Sequence, residues 1–213
     1  MPVVEGFNIT PVKSTALLQP AAIDLRPESA VGDRRFLFVR AHGERLSGET
    51  KAPLMNIRSA YDVNEEHLTL TFPDGTTAEG GSASFGEPRT VKLYDREVPA
   101  RRASVDDLGS RGGVEGLDSR RFRMLIEIAD AEPFEEDTWG GRRIRIGDAV
   151  VTVGDPMPRC VVTTLNPDTA KKDFPTLDIL ASYRKRGTEL LFGMYGEVEV
   201  AGEVRVGDAV GPI

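Results

Sequence analysis

Residues 67–75 read His-Leu-Thr-Leu-Thr-Phe-Pro-Asp-Gly, and this stretch decides the fold class. Apolar and polar side chains alternate over residues 67–72, which predicts a strand with one buried face, because successive side chains of a strand point to opposite faces. The Pro-Asp-Gly that follows is typical of a turn. We therefore expect one arm of a β-hairpin here.

The same β character extends over residues 36 to about 95, where short segments are separated by turns. Residues 36–39, Phe-Leu-Phe-Val, predict a buried strand, and residues 41–44, Ala-His-Gly-Glu, predict a turn. Several short strands with such turns indicate a barrel or a sandwich. Residues 96–120 are rich in Arg, Asp, Gly and Ser and show little apolar periodicity, so we expect a linker or mobile loop there.

The C-terminal half is also expected to be mainly β. Strands are predicted at residues 120–128, 144–150, 191–196 and 204–210. The second and the fourth of these segments share the pattern strand, Gly-Asp turn, strand. One helix is predicted over residues 177–186, with Thr176 as its N-cap and Gly187 as its stop. Trp139 is expected to be buried beneath a surface turn.

The overall composition limits the classes of partner. The chain has 213 residues, a formal net charge of −7 and a pI of about 5.0. This acidic balance argues against nucleic-acid and anionic-membrane partners. A single cysteine forbids an internal disulfide and fits a reducing compartment. The sequence shows neither a signal peptide nor an apolar run of about 18 residues, so we expect a soluble, cytoplasmic protein.

That single cysteine, Cys160, is the main candidate for chemistry. Pro156 and Pro158 restrict the backbone before it, and the β-branched residues 161–164 predict a buried strand after it. Arg159 would favour the thiolate, which is both a nucleophile and a soft metal ligand. The alternative is that Cys160 only packs in the core, as free cysteines usually do.

Two groups of polar residues near the N-terminus are candidates for an anion site. Lys13 and Ser14 follow a proline and could clamp a phosphate, or they could lie in an ordinary solvated turn. Arg34 and Arg35 stand at the mouth of the strand predicted after them, and arginine forks suit a phosphate. The alternative there is an ion pair between Asp33 and a neighbouring arginine.

The ordered set of motifs resembles that of MOSC proteins, a family that includes the C-terminal domain of molybdenum cofactor sulfurases. The shared motifs are Lys13-Ser14, Asp33-Arg34, Arg121-Phe122-Arg123, Glu136-Asp137-Thr138-Trp139, Arg159-Cys160, Thr163-Thr164, Asp168-Thr169, Leu191-Phe192-Gly193-Met194-Tyr195 and Val206-Gly207-Asp208. The N-terminal third resembles the β-barrel extension that precedes MOSC in the amidoxime-reducing and 6-hydroxylaminopurine-resistance branches. The resemblance covers nearly the whole chain and is strongest over residues 121–210.

The resemblance implies a mainly β fold in two parts. A β-barrel-like MOSC domain with few short helices would span residues 106–213, after a β-barrel-like N-terminal domain over residues 1–100. It also implies a pyranopterin molybdenum cofactor, with Cys160 as the molybdenum ligand and catalytic residue. The implied cofactor-binding residues are Lys13, Ser14 and Arg34 at the phosphate end, Arg123 and Tyr195 at the pterin, and Arg159 beside Cys160.

Two segments depart from the family pattern. Met124 and Leu125 follow the Arg-Phe-Arg motif where the family usually has Pro-Asn, so an amide that could bond the pterin or a neighbouring loop is lost. Residues 96–120 are short and Gly-rich where relatives carry a Ser-containing helix against the cofactor.

By this resemblance, we expect a molybdenum-dependent oxidoreductase that reduces small N-hydroxylated compounds. The chain has no Cys-rich iron–sulfur segment, so electrons would come from a separate donor protein. Two alternatives stay open. One is a sulfur carrier or sulfur-transfer protein with a persulfide on Cys160, and the other is a cofactor-binding module without turnover.

Overall fold

The computed structural model describes residues 1–81, 97, 98 and 100–213, and this part of the chain forms fourteen strands and two α-helices. The first strands are β1 (Val3–Phe7), β2 (Ala22–Leu25), β3 (Arg58–Asp62), β4 (His67–Thr71), β5 (Thr77–Gly81), β6 (Glu97–Val98) and β7 (Ala100–Arg101). The later strands are β8 (Ile126–Ala129), β9 (Arg143–Ile146), β10 (Ala149–Pro158), β11 (Lys185–Arg186), β12 (Glu189–Val200), β13 (Gly202–Arg205) and β14 (Val210–Pro212). The helices are α1 (Arg102–Arg111) and α2 (Thr176–Tyr183).

The strands form one large and three small sheets, so the predicted mainly β fold is confirmed. The large sheet has the order β11-β12-β10-β9-β14, and β6 also pairs with β12. Within the described residues, β11 and β14 are open edges of this sheet, so it does not close into a barrel. The small sheets are β1-β8-β7, β13-β2 and β3-β4-β5. β1 and β2 thus pair with strands of the C-terminal half, and the division into domains 1–100 and 106–213 stays a prediction.

The hairpin predicted from residues 67–75 is confirmed. β4 pairs with β3 on one side and β5 on the other, and the turn to β5 passes through Gly75 with a left-handed φ of 85°. Leu68 and Leu70 are buried on one face of β4 with Val12 and Ile57. The alternation of the sequence therefore corresponds to a half-buried strand.

Residues 36–39 do not form the buried strand expected from their apolar character. Phe36 makes a single parallel bridge to Val12, whereas Val39 makes a single antiparallel bridge to Arg45. Because the two ends of the segment pair with different partners, no continuous ladder forms. Farther along, residues 52–56 form a 3₁₀ helix, and residues 82–95 of the predicted β region lie outside the described residues.

The linker or mobile loop predicted for residues 96–120 is wrong for the described residues of this segment, because they include helix α1. Helix α1 buries Ser104, Val105, Leu108 and Gly109 on one stripe. Only two of these residues have a large apolar side chain, so the stripe has little hydrophobic periodicity in the sequence. Residues 96 and 99 lie outside the described residues.

Residues 120–128 begin as a 3₁₀ helix rather than a strand. Asp118 caps this helix, Ser119–Phe122, because its side chain accepts a hydrogen bond from the backbone N–H of Arg120. Arg123 follows in the left-handed conformation, and β8 begins only at Ile126. The side-chain cap and the reversal at Arg123 override the β character of the segment.

The predicted helix over 177–186 is shorter in the structure. Helix α2 ends at Tyr183, and the hydroxyl of Thr176 donates to the carbonyl of Thr163 at 2.7 Å instead of capping the helix. Gly187 lies in the turn between β11 and β12 with a φ of 60°. The chain therefore leaves the helix early because residues 185 and 186 pair with β12.

The remaining C-terminal expectations fit the structure with one difference. β9 and β10 pair across the first Gly-Asp turn, with Ile146 opposite Ala149. β13 and β14 flank the second Gly-Asp turn but pair with β2 and β9 rather than with each other. Trp139 is buried at the end of a 3₁₀ helix, Glu135–Trp139, and residues 191–196 are part of β12.

Two of the apolar cores flank the large sheet. The first packs strands β1, β8, β9 and β10 around Trp139, and the second lies beneath α1 and α2. In the second core, the rings of Phe122 and Phe192 stack with their centroids 4.3 Å apart. This stack joins the 3₁₀ helix Ser119–Phe122 to β12, which brings residues 121–123 next to the end of β10.

In the described part of the chain, no helix combines the length and the apolar character that a membrane crossing requires. The cytoplasmic location expected from the composition stays a prediction.

Gly109 of α1 gives a test of how tightly this helix is packed. A Cβ at position 109 would lie 2.7 Å from the carbonyl oxygen of Val114, which is backbone and cannot turn away. Helix propensity alone would make Gly109→Ala stabilising by about 0.5–1 kcal/mol. We expect the steric clash to dominate and the free energy of unfolding to fall by about 1–3 kcal/mol in chemical denaturation.

The matched control is Ser110→Ala on the exposed face of the same helix. Its free energy of unfolding should stay within about 0.5 kcal/mol of wild type. Equal or greater stability of Gly109→Ala would contradict the packing described for α1.

Candidate functional site

The residues selected from the sequence lie around one cavity of about 320 Å³. They are Lys13, Ser14, Arg34, Arg123, Arg159, Cys160 and Tyr195. The first three come from the N-terminal segment, and the others come from the 3₁₀ helix after Asp118, the end of β10 and the middle of β12. Residues far apart in the sequence therefore meet at one site.

Cys160 lies between β10 and a 3₁₀ helix, Val161–Thr164, so the buried strand predicted for residues 161–164 is wrong. The hydroxyl of Thr163 donates to the carbonyl of Cys160 at 3.0 Å, and that of Thr164 donates to the carbonyl of Val161 at 2.7 Å. These local bonds satisfy carbonyls that a strand would present to a neighbour. The turn directs the chain away from the sheet immediately after the thiol.

The thiol of Cys160 is exposed to the cavity, so it is not a packed core residue. The cavity walls nevertheless displace water, and burial raises the pKa of the thiol to about 11, with a further contribution in the same direction from its hydrogen bond to Glu49. The backbone N–H of Val162 and the charge of Arg159 act in the opposite direction and are outweighed. Arg159 does favour the thiolate, as expected from the sequence, but burial and a carboxylate outweigh it, so the pKa of the thiol is raised overall.

Arg159 instead holds the walls of the site together. Its Nε donates to the carbonyl of Phe192 at 2.8 Å, and one terminal nitrogen donates to the carbonyl of Phe122 at 3.1 Å. The other terminal nitrogen contacts Sδ of Met124, and the guanidinium lies 5.6 Å from the centre of the Phe122 ring. The planar fork thus bridges β12 and the 3₁₀ helix after Asp118.

The N-terminal wall contains Lys13, Ser14 and Arg34. Ser14 Oγ accepts a hydrogen bond of 2.9 Å from the backbone N–H of Gly48, which ties two loops together. Arg34 is buried and pairs with the buried Asp33 at 2.5 Å, so the ion pair considered from the sequence is present. Arg34 also lines the cavity, so it takes part in the ion pair with Asp33 and contributes to the site at the same time.

Arg34 and Arg123 link the two walls through backbone carbonyls. A terminal nitrogen of Arg34 donates to the carbonyl of Arg123 at 2.8 Å. Arg123 in turn donates to the carbonyl of Thr15 at 2.7 Å. The two hydrogen bonds connect the same two walls in opposite directions. A carbonyl of the C-terminal wall positions Arg34, and a carbonyl of the N-terminal segment positions Arg123.

The backbone is strained at three of the cavity residues. Ser14, Arg34 and Arg123 have φ angles of 74°, 46° and 55°, in the left-handed region that residues other than glycine rarely adopt. Such conformations cost about 1–3 kcal/mol each and persist where the surrounding contacts require them. Their concentration around one cavity indicates that the shape of this site is selected at some cost in stability.

Sequence reasoning missed part of the lining. The additional residues are Ser47, Gly48, Glu49, Met55, Arg121, Phe122, Met157, Pro158, Val162 and Thr163. Residues 47–50, Ser-Gly-Glu-Thr, have the composition of a turn, and that signal alone could have been noticed in the sequence. Nothing local in the sequence indicates that this turn lies against Cys160.

Within the described residues, neither of the two segments that depart from the family pattern lines the cavity. Met124 is buried, and its carbonyl accepts a hydrogen bond from the amide of Asn8 at 3.0 Å. A serine-containing helix is present after all, as α1. Its Ser104 donates to the buried Glu136 at 3.1 Å and accepts from the backbone N–H of Phe134 at 2.8 Å. Residues 96–120 thus contain a serine-bearing helix although the segment is short.

The thiol chemistry gives a direct test of the local electrostatics. Because the pKa of Cys160 is raised, less thiolate is present at every pH below about 11. In metal-free protein, alkylation by iodoacetamide at pH 7 should be roughly two orders of magnitude slower than for an unshifted thiol and should rise tenfold per pH unit.

Replacement of the carboxylate tests the cause of this shift. Glu49→Gln should lower the pKa and accelerate alkylation at fixed pH, whereas Glu65→Gln on the exposed turn between β3 and β4 should leave the rate unchanged. A wild-type rate that reaches its plateau below pH 9 would contradict the raised pKa.

The chain is similar in sequence to several known proteins. The mitochondrial amidoxime reducing component 2 of Rattus norvegicus is 42% identical over 152 residues, which are 63% of this chain and 44% of that protein. The molybdenum cofactor sulfurase of Oryza sativa subsp. japonica is 35% identical over 129 residues, which are 51% of this chain and 15% of that protein. The chain therefore spans less than half the length of these relatives.

Among solved structures, the YuaD protein from Bacillus subtilis matches 99% of this chain and 94% of its own, with a TM-score of 0.53 and 14% identity. At this identity the likeness concerns the fold alone. The family model described as MOSC domain matches residues 94–211, which contain β10, α2, β12 and Cys160. The chain belongs to the MOSC domain family.

Proposed function

We propose that the protein binds a pyranopterin molybdenum cofactor in the cavity at Cys160 and reduces small N-hydroxylated compounds. The observation that carries the proposal is a single thiol exposed in a cavity whose charged lining residues are cations apart from Glu49, within the part of the chain that the structure describes. A thiol is a soft-metal ligand, and cations suit the phosphate of a pyranopterin. The names of the amidoxime-reducing and sulfurase relatives support the same cofactor and the same class of substrate.

The residues present fit such a cofactor. In the described part of the chain, no cluster of three or more His, Cys, Asp and Glu side chains is arranged to hold a metal ion. Cys160 can thus supply one ligand to a metal that brings its others, as a pterin dithiolene does. Lys13, Ser14 and Arg34 would hold the phosphate, and Arg123 and Tyr195 would line the pterin.

The reaction consumes two electrons and two protons, breaks one N–O bond and releases water. The cofactor would supply the redox-active metal for this chemistry, and a separate electron-donor protein would supply the electrons. The chain itself binds and orients the reactants: Arg159 fixes the walls beside Cys160, and the bonds between Arg34 and Arg123 fix the cationic rim. Fixed walls maintain the reacting groups in position and limit the reorganisation during turnover.

The sulfur-carrier alternative has less support. Formation of a persulfide requires a thiolate that attacks a sulfur donor, and the pKa of about 11 leaves little thiolate near neutral pH. A bound metal, in contrast, displaces the thiol proton directly. The raised pKa of Cys160 therefore supports a role as a metal ligand more than a role as a free nucleophile.

Substitution of the thiol tests the proposed function. Cys160→Ser should abolish dye-coupled reduction of a hydroxylamine while the melting temperature changes little, because the hydroxyl is close in size but a poor soft-metal ligand. Molybdenum content by elemental analysis is measured on both proteins. Wild-type protein that contains no molybdenum after expression with ample cofactor supply would end the proposal.

Lys13 tests the phosphate end of the site. Lys13→Met removes the charge and keeps much of the side-chain length, so the purified protein should retain several-fold less molybdenum and pterin after extensive dialysis. Lys172→Met, at an exposed lysine that does not line the cavity, is the control and should retain the wild-type amount. Equal retention by the two variants would remove Lys13 from the site.

A further inference from the structure

Glu49 is the one carboxylate residue that lines the cavity, within the part of the chain that the structure describes. The charged residues around it are all cations, namely Lys13, Arg34, Arg121, Arg123 and Arg159. Five cationic side chains would suffice to hold a phosphate, and a carboxylate among them would repel that anion. Glu49 therefore requires a role other than anion binding.

A short turn holds Glu49 in place. The backbone N–H groups of Thr50 and Lys51 donate to the carbonyl of Ser47 at 3.1 and 2.8 Å. Gly48 is buried, and a Cβ there would contact the side chain of Val162 at 3.5 Å. The turn is thus seated on the 3₁₀ helix that follows Cys160, and it carries Glu49 to the exposed rim of the cavity.

Arginines of the site form ion pairs with carboxylates of the protein, whereas Glu49 forms a hydrogen bond with the thiol of Cys160. Arg34 pairs with Asp33, and Arg121 pairs with Asp173 at 3.2 Å. Glu49 accepts a hydrogen bond from the thiol of Cys160. The side chain of Glu49 is also exposed at the mouth of the cavity, so it can accept a hydrogen bond from a group that enters from solvent.

We infer that Glu49 determines substrate specificity, by selecting N-hydroxylated compounds that carry an amino group or a positive charge beside the N–OH group. Amidoximes and N-hydroxyguanidines belong to this class. In a hydroxamic acid, a carbonyl oxygen stands where an amidoxime has its amino group, and a carboxylate repels that oxygen. The inference rests on the proposed function of the same site and assigns its substrate preference to one side chain.

The kinetic test compares two substrates with the same phenyl group, benzamidoxime and benzhydroxamic acid. In Glu49→Gln, kcat/KM for benzamidoxime should fall about tenfold, mainly through KM, because one charge-assisted hydrogen bond is lost. For benzhydroxamic acid kcat/KM should stay the same or rise. Glu65→Gln, on an exposed turn away from the cavity, should match wild type for both substrates.

A binding measurement separates this inference from the proposed function. Benzamidine, the cationic product of benzamidoxime reduction, is titrated calorimetrically into the purified wild-type, Glu49→Gln and Glu65→Gln proteins with their molybdenum content recorded. Weaker binding by about tenfold in Glu49→Gln alone supports the inference even if no variant shows turnover, in which case only the reductase proposal fails. Equal benzamidine affinity in the three proteins, or equal kinetic losses for the two substrates, would overturn the role of Glu49 and leave the reductase proposal intact.

Discussion

The buried ion pair between Asp33 and Arg34 is the interaction on which the site depends. Asp33 also accepts a hydrogen bond from the backbone N–H of Thr10 at 2.7 Å, so the pair is anchored to the first segment of the chain. Arg34 then reaches the carbonyl of Arg123, and Arg123 reaches the carbonyl of Thr15. Buried charges are tolerated only where such partners are complete, because an unpaired charge away from water is costly. The N-terminal and C-terminal halves are therefore fixed to each other by the same residues that line the cavity.

The large sheet supplies the rigid support for this arrangement. β10 and β12 pair from Val150 opposite Val200 to Pro158 opposite Leu191, with several irregularities of register toward Pro158. β9 pairs only with residues 149–152 of β10, so the prolines at 156 and 158 lie where no second neighbour needs their missing N–H. Beyond Pro158, Arg159 and Cys160 leave the sheet at its end. A thiol in this position is held by the longest strand pair of the fold and still faces an open cavity.

The cavity combines opposing electrostatic demands within a short distance. Its lining is rich in cations, yet the thiol is kept protonated because burial and Glu49 outweigh Arg159. The arginines have their own acceptors in carbonyls and carboxylates, so their charge is directed at the walls as well as at the cavity. The local environment of each group, rather than the net sign of the site, decides its chemistry. Strained backbone at Ser14, Arg34 and Arg123 is the cost of this arrangement.

The sequence determined much of the local structure and singled out several of the residues that line the cavity. Alternation at residues 67–72 and the Gly-Asp turn at residues 147–148 correspond to strands and turns in the structure, because the spacing of buried side chains and turn residues is written in the chain itself. The motifs that resemble MOSC proteins named residues that do line one cavity, although their roles stay proposals. Helix α1 was missed because half of its buried stripe, Ser104 and Gly109, consists of small residues.

Tertiary structure alone decided how distant segments meet. The β-branched residues 161–164 became a 3₁₀ helix because Thr163 and Thr164 bond to local carbonyls, and the carbonyl of Thr163 is also bound by Arg121 and Thr176 from other elements. The walls of the cavity buried Cys160, and Glu49 reached it across more than a hundred residues of sequence; together they outweighed the effect expected from Arg159 on the pKa of the thiol. Sequence patterns report the periodicity of one segment, whereas the pKa of a thiol depends on whichever charges and walls the fold brings next to it.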